Sequence, residues 1–196
     1  MKIYLVRHGQ SEANKNNTTQ GQIDSPLTEK GIEQAKAIAN RLKLENIDLA
    51  YSSDLQRASK TAEEILKFHP KIRLNKIKEL REMSKGKYEG MKHKHFYDEL
   101  EKQNLLYCHF RPEGGENYSD RLPEIAKFYN TLPDKNILIV AHGGSIICSI
   151  LHLLNVPIEE YRKYLSNNTS LTVINNKQIK YIIIQIKKII DQCLNK

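Results

Sequence analysis

The five residues Ile137 to Ala141, ILIVA, constrain the fold of this chain more than any other stretch. All five are apolar, the pattern of a strand buried on both faces in a sheet covered by helices. Ile3-Tyr4-Leu5-Val6 repeats the pattern near the amino end. Strand-like and helix-like segments alternate around these two runs. After a turn at Asp24-Ser25-Pro26, Thr28 suits a helix cap, and Ile32, Ala35, Ile38, Ala39 and Leu42 recur at helical spacing. Asp48 to Ser52 reads as a short strand. Asp54 is then expected to cap a helix that turns Leu55, Ala58, Ala62, Ile65 and Leu66 inward. Ile72 to Ile77 reads as a strand, Lys85 to Gly90 as loop and Lys92 to Gln103 as a polar helix. The loop Arg111 to Asn117 leads into a helix ending at Leu132, and Ser145 to Leu154 is helical again. Leu171 to Ile174 and Ile179 to Gln185, joined across Asn175-Asn176-Lys177, read as an antiparallel hairpin. This order predicts an α/β three-layer sandwich: a mostly parallel central sheet with an antiparallel edge and helices on both faces. One domain is expected over 1–196, with 185–196 as a C-terminal extension whose Ile189, Ile190 and Leu194 seal the last strand or pair two subunits as a homodimer.

The 196 residues suit one compact unit, and 39% apolar content suffices for a core. No apolar run reaches the ~20 residues of a membrane span, and the basic start is brief for a signal peptide, so a cytoplasmic protein is expected. Cys108, Cys148 and Cys193 are odd in number and far apart, which argues against a disulfide framework or a zinc knuckle. The net charge of +8 favours anionic partners, although a lysine-rich solvated surface explains much of it.

Both apolar runs end in the same way. The first is followed by Arg7-His8-Gly9, the second by His142-Gly143-Gly144. In open α/β sheets ligands collect beyond the carboxyl ends of the strands, so neighbouring strands would bring both imidazoles to one crevice. The glycines are expected to let backbone N–H groups approach an anion, and the helix near Ser145 adds its positive end. Arg57, in the first turn of the helix after Ser52, points to the same side. Two guanidinium groups and two imidazoles around one point suit a tetrahedral dianion, with the second imidazole best protonated. A histidine there can take up a phosphoryl group, its far nitrogen attacking while the near one donates to a backbone carbonyl.

In order along the chain, LVRHGQSEAN, QGQIDSPLTEKG, SSDLQRASKTAE, LREMSKGKYEG, PEGGEN and VAHGG resemble the histidine phosphatase superfamily, the phosphoglycerate mutase-like fold, from Ile3 to about Ile174. The resemblance implies that His8 is the nucleophile and that Arg7, Arg57 and His142 hold the phosphate oxygens. It implies that Asn14, Gln20 and Gly21, with Gly143, complete the phosphate or substrate site, and that Glu82 is the proton donor. Glu82 would serve if burial beside the dianion raises its pKa from ~4.3 towards neutrality. An activity optimum on the acid side of neutral follows, with no cofactor and no metal. The segment from Glu82 to Glu116 is shorter than in the mutases, which resembles the phosphatase branch. Ala13, Asn117 and Tyr88 depart from the family pattern near the mouth of the site.

The expected function is therefore a metal-independent phosphomonoester hydrolase acting through a phosphohistidine on a small phosphorylated metabolite: α-ribazole phosphate, phosphoserine or a sugar phosphate. The alternative enzyme is a phosphoglycerate mutase. The non-enzyme alternative is a basic nucleic-acid-binding protein, with Lys85, Lys87, Lys92 and Lys94 interleaved by Tyr88 and Tyr97 and a second cluster at Lys187-Lys188, though no nucleic-acid motif accompanies them. His93 and His95, the best metal pair, do not share a helix face, and a solvated surface is expected there. Lys85 and Lys87 could favour an acidic substrate, but read as exposed loop lysines.

Overall fold

Residues 1–175 and 178–183 are described in the computed structural model. β1 (Lys2–Arg7) is the first apolar run extended at each end, and a one-turn helix α1 (Glu12–Lys15) follows it. Ser11 caps that turn: its side chain accepts from the Asn14 N–H while the Asn14 side chain bonds back to Ser11. α2 (Glu29–Leu42) starts at the Thr28 cap, where Thr28 Oγ1 accepts from Gly31 N–H at 2.9 Å. β2 (Leu49–Ser53), α3 (Gln56–Leu66) and β3 (Leu74–Ile77) come next. The cap position of α3 belongs to Leu55, with no side-chain cap, and not to Asp54. Asp54 is drawn off into a two-pronged ion pair with Arg81, at 2.7 and 2.6 Å. A bidentate charged partner outweighs a neutral N–H, which explains the difference from expectation.

α4 (His93–Lys102) and α5 (Tyr118–Asn130) precede β4 (Ile137–Ala141), the ILIVA run. Asn117 caps α5, accepting from Asp120 N–H at 3.2 Å. α6 (Gly143–Leu154) begins two residues before the expected Ser145. β5 (Leu171–Asn175) and β6 (Gln178–Ile183) form the antiparallel hairpin, with Asn175 opposite Gln178. The 185–196 extension, including Cys193, lies outside the described residues; Cys108 and Cys148 are buried free thiols.

The six strands lie in the order β3-β2-β4-β1-β5-β6. β1 runs parallel to β4, with Arg7 opposite Ala141, and antiparallel to β5. β2 is parallel to both β4 and β3. Side chains alternate across the sheet. Ile3 and Leu5 of β1, with Ile137 and Ile139 of β4, enter one cluster with Ile125 and Phe128 of α5 and Ile146 and Ile150 of α6. Tyr4 and Val6, with Leu138 and Val140, enter a second cluster with Ile38 and Leu42 of α2 and Ala58 and Ile65 of α3. Helices therefore cover both faces, as the doubly apolar runs require. Each fully buried Ile or Leu contributes about 1.5–3 kcal/mol.

Gly9 serves this packing rather than an anion. A Cβ there would run into the Gly31 carbonyl, and one on Gly31 would run into the carbonyl of Gln10. Two glycines face to face let the start of α2 lie directly on the chain leaving β1.

Candidate active site

β1 and β4 are parallel neighbours, so they end at the same edge of the sheet, and the next residues are His8 and His142. Their ring centroids are 5.1 Å apart with planes at 60°. His8 Nδ1 lies 2.7 Å from the Gly9 carbonyl oxygen. A carbonyl only accepts, so Nδ1 carries the proton and Nε2 keeps its lone pair. Burial, reinforced by the Arg57 and Arg7 charges, holds the His8 pKa well below its ordinary value, so the ring is neutral near pH 7.

His142 is fully buried, and its Nδ1 accepts from Arg57 Nε at 3.2 Å. The neutral ring then carries its proton on Nε2, a buried atom without a protein partner. Burial, with Arg57, His8, Arg7 and Arg121 adding to it, holds the His142 pKa well down. The expected imidazolium is thus a neutral N–H donor in the unliganded site, because two guanidinium charges and burial oppose a third cation.

Arg57, in the first turn of α3, is 1% exposed. Besides His142, it donates to the carbonyls of Ile23 at 2.9 Å and Gly21 at 2.8 Å, which leaves two of its five N–H groups for a ligand. Burial lowers its pKa to about 10, and it stays charged at neutral pH. Arg7 donates to the Ser166 carbonyl. Its Nε is buried with no protein partner. Arg7 Nε and His142 Nε2 are two buried donors without a protein partner, each costing about 1–3 kcal/mol unless something accepts from it.

The two neutral residues are oriented in the same sense. Asn14 Oδ1 accepts from Ser11 N–H at 3.2 Å and from Asn168 Nδ2 at 3.2 Å. Gln20 Oε1 accepts from Ser11 Oγ at 2.8 Å. Both amide oxygens are occupied by protein, so both residues turn NH2 donors to the cavity they line. Gly21 has φ +52°, and a Cβ on it would strike the Glu89 carboxylate; its part is to present its carbonyl to Arg57. Gly143 starts α6 beside Arg7, where a Cβ would make ordinary contact at 3.5 Å with the guanidinium carbon.

Glu82 follows a short 3-10 turn, Lys78–Leu80. Its Oε1 accepts from Met83 N–H at 3.0 Å and its Oε2 from Gly144 N–H at 3.1 Å. The turn is clamped from behind by Arg121, which donates to the carbonyls of Glu79 at 2.6 Å and Arg81 at 2.9 Å. Arg7, His8, Asn14, Gln20, Gly21, Arg57, Glu82 and Gly143 line one cavity of about 530 Å³, within the usual range for small-molecule sites, while His142 is fully buried and reaches it only through its contacts with His8 and Arg57.

Several contacts that build this site carry no sequence signal. Asn168 donates to the His8 carbonyl at 2.9 Å, Thr61 Oγ1 accepts from Gly9 N–H at 3.0 Å, and Gly144 holds Glu82. His93 is not solvated surface: it is half-buried, bonds Thr19 Oγ1 at 3.0 Å and lines the cavity, while His95 is exposed. Lys85 and Tyr88 are buried, which breaks the first of the two clusters behind the nucleic-acid reading, while Lys187-Lys188 lie outside the described residues. Both turn inward because the 84–89 loop folds over itself, with Glu89 Oε1 accepting from Ser84 Oγ at 3.1 Å and Lys85 N–H at 2.9 Å. Among the described residues no group of three or more His, Cys, Asp or Glu side chains could hold a metal ion, and no helix is long and apolar enough to cross a membrane.

The model of the histidine phosphatase superfamily (branch 1) matches residues 3–187. The chain belongs to that superfamily. It is 34% identical over 200 residues to the metal-independent phosphoserine phosphatase of Arabidopsis thaliana, covering 93% of this chain and 79% of the relative. It is 31% identical over 167 residues to the adenosylcobalamin/alpha-ribazole phosphatase of Escherichia coli, covering 81% and 82%. Among solved structures, phosphoserine phosphatase from Entamoeba histolytica in complex with 3-phosphoglyceric acid superposes with a TM-score of 0.80 at 27% identity, over 94% of this chain and 98% of that one. The superfamily member described here is a phosphatase.

Proposed function

We propose that this protein hydrolyses phosphomonoesters of small metabolites, without a metal, through a phosphohistidine on His8. The observation that carries the reading is the tautomer fixed at His8: Nδ1–H is tied to the Gly9 carbonyl, and Nε2 offers a lone pair beside Arg7, Arg57 and His142.

Arg7, the two remaining N–H groups of Arg57, His142 Nε2–H and the amides of Asn14 and Gln20 receive the phosphate oxygens. They neutralise charge as donors already in place, which is where most of the rate advantage lies. The P–N bond to His8 Nε2 forms as the P–O bond to the leaving alcohol breaks. The departing oxygen takes its proton from Glu82, which the N–H groups of Met83 and Gly144 hold at the cavity. Water then enters, gives a proton back to Glu82 and attacks phosphorus; the P–N bond breaks and inorganic phosphate leaves.

The test is a panel of phosphoserine, α-ribazole phosphate, sugar phosphates and 3-phosphoglycerate with 2,3-bisphosphoglycerate, run with wild type and His8→Ala, with and without EDTA. Phosphate release from at least one ester is expected, insensitive to the chelator and reduced by ~10⁴-fold or more in His8→Ala. Label from a 32P-ester should remain on the wild-type protein after alkaline quench and leave it in acid. Unchanged turnover in His8→Ala would move the nucleophile elsewhere, and isomerisation without phosphate release would make the protein a mutase.

A further inference from the structure

Beyond the phosphate end of the cavity lies a compartment of different character. Tyr107 stands at its centre, with Phe96 at 5.7 Å, Tyr118 at 6.0 Å and Tyr161 at 6.1 Å between ring centroids. All four rings line the cavity. Into this aromatic wall the chain places one ammonium group. Lys85 is 8% exposed, with its Nζ 4.9 Å from the Tyr107 centroid and 5.3 Å from that of Phe96.

A buried ammonium carries three donors and a full charge, and it is costly unless both are answered. Among the described residues its one hydrogen-bond acceptor is Tyr107 Oη, at 2.9 Å, and no carboxylate lies within ion-pair distance. The Phe96 ring supplies cation–π attraction, about 0.5–2 kcal/mol, which retains the charge without neutralising it. Burial pulls its pKa down, but the Tyr107 oxygen and the Glu82 carboxylate more than offset that, so Lys85 is charged at neutral pH. It is also three residues from Glu82, the group at the leaving oxygen, and lines the same cavity. Arg162, the other cation on that wall, is exposed and bonded to Tyr161 Oη.

We propose that Lys85 is a specificity-determining residue that receives a carboxylate carried by the leaving alcohol, so that the preferred substrates are carboxylated phosphomonoesters with an apolar or aromatic body. The inference rests on the phosphatase reading above. The phosphate occupies the arginines and histidines, the ester oxygen meets Glu82, and the body of the alcohol lies against the rings with its carboxylate accepting the two N–H groups that Lys85 has left over. Charge-assisted bonds of this kind in a water-poor site favour the anionic substrate over a neutral one of the same shape.

The experiment compares kcat/KM for 3- and 4-carboxyphenyl phosphate with that for the matching carbamoylphenyl phosphates. Their amide is uncharged and nearly isosteric, and it withdraws electrons more strongly than a carboxylate, so leaving-group strength alone favours the carbamoyl ester. The better carboxylated isomer should exceed its neutral partner by about tenfold or more, equivalent to about 1.4 kcal/mol. That ratio should collapse towards one in Lys85→Met and stay above one in Lys85→Arg. A wild-type ratio at or below one, with His8-dependent hydrolysis of both esters intact, overturns the role of Lys85 and leaves the phosphatase reading standing. Equal losses on charged and neutral esters in Lys85→Met also overturn it, since Lys85 would then act on Glu82 and not on the substrate. No hydrolysis of any phosphomonoester removes both readings. The wild-type ratio needs no variant to fold.

Discussion

Gly144 does for Glu82 what a side chain could not. Its N–H reaches Glu82 Oε2 at 3.1 Å, and a Cβ on it would intrude on Glu82 Oε1 and the Met83 methyl. Gly144→Ala therefore sets two effects against each other. Alanine gains about 1 kcal/mol of helix propensity inside α6, while the carboxylate is pushed off line by an ångström or so. The expected outcome is a kcat lower by ~100-fold with a melting temperature within about 4 °C of wild type. Steady-state kinetics beside a thermal melt decide it; an undiminished kcat would show that Glu82 does not need that position. Such contacts mark the limit of what single residues disclose in a sequence. His8, His142, Arg7 and Arg57 were legible because each sits at a strand end or in a first helical turn, where topology alone fixes direction. Asn14, Gln20 and Glu82 were legible only through resemblance to a family. The partners of Gly144 and Asn168 were not, since each acts far away in the chain, 62 residues for Gly144 to Glu82 and 160 for Asn168 to His8. The inward turn of Lys85 was missed for another reason: a charged residue in a glycine-bounded loop carries no periodicity to reveal which way it faces.

The junction between the end of β1 and the start of α2 depends on backbone lying against backbone. Gly31→Ala would put a methyl group into the Gln10 carbonyl, where nothing flexible can yield. Overpacking of this sort costs about 1–3 kcal/mol, and for a chain of this length the melting temperature should fall by roughly 2–12 °C. An unchanged melt would mean that the helix start shifts freely. Long elements were readable from periodicity, as with α2, α5 and β4: Ile38 and Leu42, Ile125 and Phe128, and Ile137 to Ile139 enter the two clusters, although Ile32, at the same helical spacing, is exposed. Short ones were not. The single turn Glu12–Lys15 buries no residue, so no hydrophobic pattern announces it, and the Lys78–Leu80 turn is held from outside by Arg121. The cap of α3 was misread because Arg81, 27 residues on, competes for Asp54.

Two neutral imidazoles at the centre of the protein make its stability depend on pH. Burial depresses the pKa of His8 and His142 far below their unfolded value of ~6.5. Below that pH the unfolded chain takes up protons that the folded one refuses. The stabilisation is therefore complete above about pH 6.5 and is lost as pH falls towards the depressed folded values, at up to ~1.4 kcal/mol per pH unit for each ring. Melts between pH 7.5 and 5.5 should show a fall of several degrees below pH 6.5, with a shallower slope in His8→Ala; a flat profile would mean that the folded rings protonate as easily as free ones. The strand order carries a different consequence, for synthesis. β1 is made before β2 and β3, yet its own neighbours, β4 and β5, are made after them. At ~5–20 residues per second, β1 waits for something on the order of ten seconds before the strand that pairs with it exists. Ile3 to Val6 emerge from the ribosome as an unpaired apolar ribbon, and the two histidines meet only after 134 further residues have been added to His8.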